Sequence, residues 1–298
     1  MGRRFVTVDV FTDRRFGGNP LAVVLDAGGL DDAEMQAIAR EFNLSETTFV
    51  LPPEDARNDA KVRIFTPGRE LPFAGHPNVG TAFVLAREAQ TTGGDAPSVL
   101  RFEEIAGLVP VDILTDGGGT VSGARLTAPQ AVDLGAEIAV EDFAPCVGLT
   151  PADIDLTGHS PVLASAGMPF PVARLTGPDA LARAHGDAAA MAARPEMGGH
   201  VFVYTADPND PGGFRARMFA PGLGIAEDPA TGGAAAALTG LLGTLENADG
   251  RHDYRIVQGV EMGRPSLIET SVDVSGGRPG AIRVGGACVP VMQGEIET

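Results

Sequence analysis

At 298 residues the chain is long for a single core, so two domains of ordinary size or one large α/β domain are expected. With 44% hydrophobic and 20% charged residues, no stretch near the roughly 20 uninterrupted apolar residues of a membrane helix, and an opening "MGRRFVTVDVF" that goes directly into strand alternation, a soluble cytoplasmic protein is expected. A net charge of −17, with Lys61 the only lysine, argues against nucleic acid or anionic membrane as partner and against a P-loop or Schiff-base enzyme; a small-molecule ligand is favoured.

Along the chain, "RRFVTVDVF" alternates at period two and reads as a strand. "DDAEMQAIAREFN" starts on Asp, has Glu in its first turn and places Met35, Ile38 and Phe42 at helical spacing, which predicts an amphipathic helix. "TTFVLP" and "AKVRIFT" read as strands, the second stopping at Pro67-Gly68. Residues 78–89 and 232–247 predict two helices apolar nearly all round, each the buried centre of its own half. "LRFEEIAGLVPVDIL" and "SLIETSVDV" are strand-like, and the Gly-rich or acidic segments near 91–97, 116–119 and 205–213 read as turns or short loops. Cys146 and Cys288 have neither metal nor redox spacing and read as small buried apolar residues.

An internal repeat spans half the chain. "RIFTPGRELPFAGHPNVGTA" at 63–82 is echoed by "RMFAPGLGIAEDPATGGAAA" at 217–236, so that Arg63, Phe65, Pro67 and Gly68 match Arg217, Phe219, Pro221 and Gly222. His76, Pro77 and Gly80 likewise match Asp228, Pro229 and Gly232. "GGNPLAVVL" at 17–25 and "AGMPFPVARL" at 166–175 echo each other at nearly the same offset. Two like halves facing across a pseudo-two-fold axis would leave a cleft, a favoured ligand site.

A helix starting at His-Pro or Asp-Pro presents free backbone N–H groups that bind anions, and Gly75, Gly80, Gly232 and Gly233 let a ligand approach the backbone. Ordinary capping by Asp228 is the plainer reading. Glu46, His76 and Asp228 are the ionisable groups expected closest to the cleft, and burial beside Leu44, Phe49, Leu71 and Phe73 would suit Glu46 to hold a proton. On local pattern alone, Glu46 reads more readily as a turn residue than as an acid, and His76 reads equally as a core histidine.

The segments "VDVFTDRRFGGNPLAVVL", "NLSETTFV", "RIFTPGRELPFAGHP", "FAPGLGIAEDPATGG" and "VQGVEMGRPS" together resemble the phenazine-biosynthesis-like (PhzF-like) isomerase family, which shares the diaminopimelate epimerase fold. The resemblance implies an α+β protein of two pseudo-symmetric halves, each a curved, mostly antiparallel sheet or barrel round a central helix. The first half is expected over 1–118 plus 283–298 and the second over 124–280, with the site in the cleft between them. It also implies Glu46 as catalytic acid/base, with His76 and Asp228 orienting and balancing charge, and Asn19, Gly75, Asn78, Thr231, Gly232 and Gly233 as substrate-binding residues. The implied chemistry is a cofactor-free, metal-free proton shift on a small unsaturated or cyclic carboxylic acid, in a homodimer.

Neither cysteine stands at a central helix start, so the two-thiol racemisation of other members of the fold is disfavoured. Where the family commonly has Ser after "DPATG" this chain has Gly233, with Thr231 as a possible substitute, and Asn78 stands where Thr is more usual. The rival readings are an epimerase or dehydratase on the same fold, a noncatalytic small-molecule-binding protein, and a metal-dependent enzyme using Glu46, His76 and Asp228.

Overall fold

The structure, a computed structural model, describes residues 2–246 and 248–298. Asn247, the last residue of the second expected central helix, lies outside them. The chain divides into two compact units, Met1–Thr127 with Gly285–Thr298, and Ala128–Val284.

In the first unit the elements run β1 (Arg3–Val10), β2 (Asn19–Val24), α1 (Asp32–Phe42), β3 (Glu46–Leu51), β4 (Ala60–Phe65), β5 (Glu70–Leu71), α2 (Gly75–Thr91), β6 (Val99–Glu104), β7 (Gly107–Thr115) and β8 (Val121–Thr127). The second begins with β9 (Asp133–Glu137), α3 (Val140–Cys146), β10 (Val162–Ser165), β11 (Pro169–Arg174), α4 (Pro178–Arg183) and α5 (Ala188–Ala192). It continues with β12 (Val201–Ala206), β13 (Gly213–Ala220), β14 (Ile225–Asp228), α6 (Gly232–Leu245), β15 (Gly250–Gln258) and β16 (Ser266–Ser275). The last strand, β17 (Arg278–Ile296), starts in the second unit and finishes in the first.

The pairing order explains the sequence repeat. In the first unit β1–β2 is antiparallel, β2–β3 parallel, β3–β4 antiparallel, β4–β6 parallel and β6–β7 antiparallel. In the second, β10–β11, β11–β12, β12–β13, β13–β15 and β15–β16 repeat that alternation in the same order. In the first unit β7 also pairs β8, and β17 pairs both β8 and β1, so the ring closes into a barrel that leaves no open edge. The echoed segments fall on equivalent strands, β2 with β11 and β4 with β13.

The most visible repeated residues are a clamp. Arg63 on β4 donates through Nε and Nη2 to Glu70 on β5 at 2.6 and 2.7 Å and lies 5.1 Å over the Phe65 ring. Arg217 on β13 repeats this with Glu227 on β14, at 2.8 Å for both bonds, and lies 4.8 Å over Phe219. Both guanidinium groups are largely buried, where a bidentate pair stacked on an aromatic face holds geometry far better than an exposed pair. Each clamp ties the short strand that leads into the site segment to the centre of its sheet.

Helices α2 and α6 are the buried centres. A Cβ on Gly80 would stand 2.6 Å from Leu21 Cδ2 and 2.8 Å from Val10 Cγ2, so only glycine lets α2 approach β1 and β2 this closely. Gly240 plays the same part for α6 against Val132. The hydroxyls buried with these helices are satisfied internally, Thr81 with Thr48 at 2.8 Å and Thr239 with Thr270 at 2.6 Å. Helix α1 covers the first unit from outside, closed at its start by a capping box between Asp31 and Glu34 and burying Met35, Ile38 and Ala39 against Val24, Phe49 and Phe65. Among the described residues no helix is long and apolar enough to cross a membrane.

Candidate active site

Two strand starts and a helix start meet in the first unit. Helix α1 ends on Asn43 in the left-handed conformation (φ 51°), and β3 begins three residues later at Glu46. Because β2 and β3 run parallel with Leu21 opposite Glu46, Asn19 and Glu46, the first residues of the two strands, lie at the same end of the barrel. His76, the second residue of α2, comes between them. Its Nε2 is 3.4 Å from Glu46 Oε2 and its Nδ1 is 3.4 Å from Asn19 Nδ2. Glu46 keeps 14% of its side-chain surface exposed and His76 keeps 7%, so the pair is nearly sealed.

Burial pushes the His76 imidazole down to about 3, so it is neutral at physiological pH. With Asn19 presenting its amide Nδ2, His76 Nδ1 is the acceptor and the ring proton sits on Nε2, facing Glu46. The expected charge-balancing role therefore does not fall to His76, since a neutral ring orients the carboxylate without neutralising it. The remaining residues expected here, Gly75 and Asn78, lie in the same helix turn, where Asn78 Nδ2 donates to the Ala74 carbonyl at 3.1 Å.

The second unit corrects one expectation. Asp228 is not a helix cap: it is the last residue of β14, paired with Met218, and α6 starts four residues later at Gly232 after an extended Thr231. Pro229 consequently lies outside the helix. The segment is held instead by Gln258, which is fully buried at the end of β15 and was not among the expected site residues. Its Nε2 donates to the Asp228 carbonyl at 2.7 Å and to Thr231 Oγ1 at 3.1 Å, and its Oε1 accepts from the Thr231 N–H at 3.1 Å. Thr231 in turn donates its hydroxyl proton to Asp228 Oδ2 at 2.5 Å. That hydroxyl therefore serves the carboxylate and is no free replacement for a serine at 233. The only sequence signal for Gln258 was its place in "VQGVEMG", a polar residue before a glycine at a strand end.

Gly233 is exposed, and a Cβ there would meet the Phe170 ring at 3.3–3.4 Å. Phe170 is itself fixed edge-on against His200, 5.1 Å between centroids. Gly233→Ser is therefore expected to lower unfolding free energy by about 1–3 kcal/mol through overpacking. Adding Phe170→Leu should return most of that loss in a urea titration, and an unchanged deficit in the double variant would remove Phe170 as the cause.

Cys146 ends α3 and Cys288 lies on β17; both are buried and free, and neither stands at the start of α2 or α6. Burial pushes the Cys288 thiol up to about 12, the opposite of what a thiolate base requires. Among the described residues no three His, Cys, Asp or Glu side chains are grouped to hold a metal ion.

The model of the family described as phenazine biosynthesis-like protein matches residues 8–294. An uncharacterized isomerase of Mesorhizobium japonicum is 39% identical, covering 99% of this chain and 98% of its own. The trans-2,3-dihydro-3-hydroxyanthranilate isomerase of Pseudomonas aeruginosa is 35% identical with 95% of both chains covered. Among solved structures, a PhzF-family protein of Bacillus anthracis superposes with a TM-score of 0.88 at 25% identity over the full length of both chains. A Pseudomonas aeruginosa protein described as a predicted epimerase gives 0.80 at 34% identity over 99% of both. A family match over nearly the whole chain, isomerases aligned end to end and the doubled topology agree: the chain belongs to the phenazine biosynthesis-like family and is an isomerase.

Proposed function

We propose that this isomerase moves a proton, and with it a carbon–carbon double bond, on a small unsaturated cyclic carboxylic acid, with Glu46 as the acid/base. The observation that carries this reading is the largely buried contact between Glu46 and a neutral His76, which sets one carboxyl group against an uncharged ring. As carboxylate, Glu46 takes a proton from an allylic carbon while the C–H electrons move into the neighbouring π bond. As acid, it returns a proton to the carbon at the far end of that system. Composition and oxidation state are unchanged, so the step calls for no redox or group-transfer cofactor. Within the second unit, Asp228 is fixed by Thr231 and Gln258 in a form suited to accept from an amino or hydroxyl group, and the N–H groups of Gly232 and Gly233 at the start of α6 suit a carboxylate. The activity named for the Pseudomonas aeruginosa relative, on a small cyclic carboxylic acid, supports the substrate class.

Incubation with trans-2,3-dihydro-3-hydroxyanthranilate and related cyclic amino or hydroxy acids in D₂O, followed by NMR, is expected to show a moved double bond with a deuteron at the newly saturated carbon. Absence of both across the panel would overturn the proposal. An epimerase, suggested by the description of the relative at 34% identity, would instead invert a stereocentre and leave the double bond in place.

A further inference from the structure

Behind the first turn of α2 lies a carboxyl group that the proposed reaction does not use. Glu104 ends β6 and borders an open groove of about 870 Å³ on the first unit. Its two carboxyl oxygens nevertheless face inward, sealed from water and without a hydrogen-bond partner of good geometry. The polar side chain beside them is that of Asn78, two residues after His76 in the same helical turn. Asn78 gives its Nδ2 to the Ala74 carbonyl, and its Oδ1 is likewise sealed and unsatisfied. The Asn78 amide N–H is a donor directed at Glu104 and opposes the effect of burial, yet the two carboxyl oxygens and Asn78 Oδ1 share one buried place without a hydrogen bond of good geometry. An ionised Glu104 would add a negative charge there, whereas one proton on it supplies a donor for the amide oxygen.

We propose that Glu104 is a positioning residue, held as the neutral acid and donating its proton to the amide oxygen of Asn78, so that it fixes the first turn of α2 and the direction of His76. Asn78 then spans the turn with both ends of its amide engaged, Nδ2 to the backbone before the helix and Oδ1 to the strand behind it. The proposal rests on His76 being a site residue, but its test needs no substrate.

Burial pushes the Glu104 carboxyl up to about 8, against an ordinary value of 4.5. The charged groups lining the same groove are engaged elsewhere: Lys61 pairs with Glu54 and Arg57 with Asp55, while Glu103 accepts from Asn58 and the 54–55 backbone. Arg101, on Glu104's own strand, is exposed. On α2 the titratable neighbour is His76, which stays neutral throughout the alkaline range. A carboxyl raised in the folded state contributes stability that is full below about 4.5 and is lost progressively as pH rises through about 8.

The test is the ¹⁵N imidazole spectrum of His76 from pH 6.5 to 9.5, with melting temperature measured in parallel. The wild type is expected to show a His76 inflection near pH 8 and a melting temperature that falls toward it and levels off above it. Glu104→Gln, whose amide N–H replaces the acid O–H as donor and cannot ionise, should keep the neutral-pH His76 shifts and lose both the inflection and the fall. Should that variant not fold, Asn78→Ala should keep the fall in melting temperature but silence the His76 response. A wild-type His76 signal flat through pH 8, or an inflection that survives Glu104→Gln, would overturn the proposal. Failure of the isomerase reading would show instead as absent deuterium incorporation with these spectra intact.

Discussion

Glu46→Gln is expected to reduce turnover on the order of 10³-fold or more while leaving the fold in place. The amide keeps the length and planarity of the carboxyl group, and its Oε1 can still accept from the His76 Nε2–H now 3.4 Å away. What it cannot do is carry a proton between two carbons. The loss should therefore fall on kcat, with KM little changed, because the amide keeps the shape of the carboxyl group and removes only its proton transfer. Urea unfolding should place the variant within about 1 kcal/mol of the wild type, since the amide keeps the shape of the carboxyl group and the 3.4 Å approach of His76 Nε2 is a contact without the geometry of a formed hydrogen bond. Glu41→Gln, five residues earlier on the exposed face of α1, is the control and should behave as the wild type. Full activity in Glu46→Gln would remove it as the acid/base, and a large stability loss would mean that its carboxylate is chiefly structural.

Much of this arrangement was legible in the sequence because it is written twice. The Arg-x-Phe-x-Pro-Gly echo marked equivalent strands correctly, since an arginine stacked on the phenylalanine two residues on needs that spacing wherever it recurs, while its glutamate partner comes from a loop of different length in each unit. The two apolar helices were legible because nothing but a central position accommodates a helix with so little polar surface. The start of α6 at Gly232 agrees with the expected span, but Asp228-Pro229 as its opening was misread for a physical reason. Asp-Pro is a good helix opening by local preference, but here strand pairing to Met218 and three bonds from Gln258 keep residues 228–231 extended. Those bonds come from a residue 27 to 30 positions away, beyond any local pattern. Glu104 was illegible for a related reason. In "RFEE" it looks like Glu103, yet Glu103 accepts from Asn58 and nearby backbone N–H groups while Glu104 turns both oxygens into the protein. Nor could composition reveal that His76 is neutral, because its titration is set by burial and not by a charged neighbour.

Gln258→Leu is expected to lower the unfolding free energy by about 2–5 kcal/mol and to reduce activity at least 10²-fold in the protein that remains folded. Gln258 is fully buried, and its one side chain serves both the Thr231 N–H and the Asp228 carbonyl. Leucine fills nearly the same space but leaves a donor and an acceptor without partners, and each such buried group costs about 1–3 kcal/mol. The activity loss has a separate origin: without Gln258 the 228–231 segment is free to leave the extended path that carries Asp228 and delivers the Thr231 hydroxyl to it. Thr231→Val separates the two effects. It keeps the shape, the backbone N–H and the Gln258 bonds to the main chain, and removes only the hydroxyl shared between Gln258 and Asp228. Its stability cost should be about 1 kcal/mol, with an activity loss smaller than that of Gln258→Leu. Because both changes act on one network, the activity losses in the double variant should combine to less than their product. Fully independent losses would mean that Gln258 stabilises β15 and β14 without setting the position of Asp228.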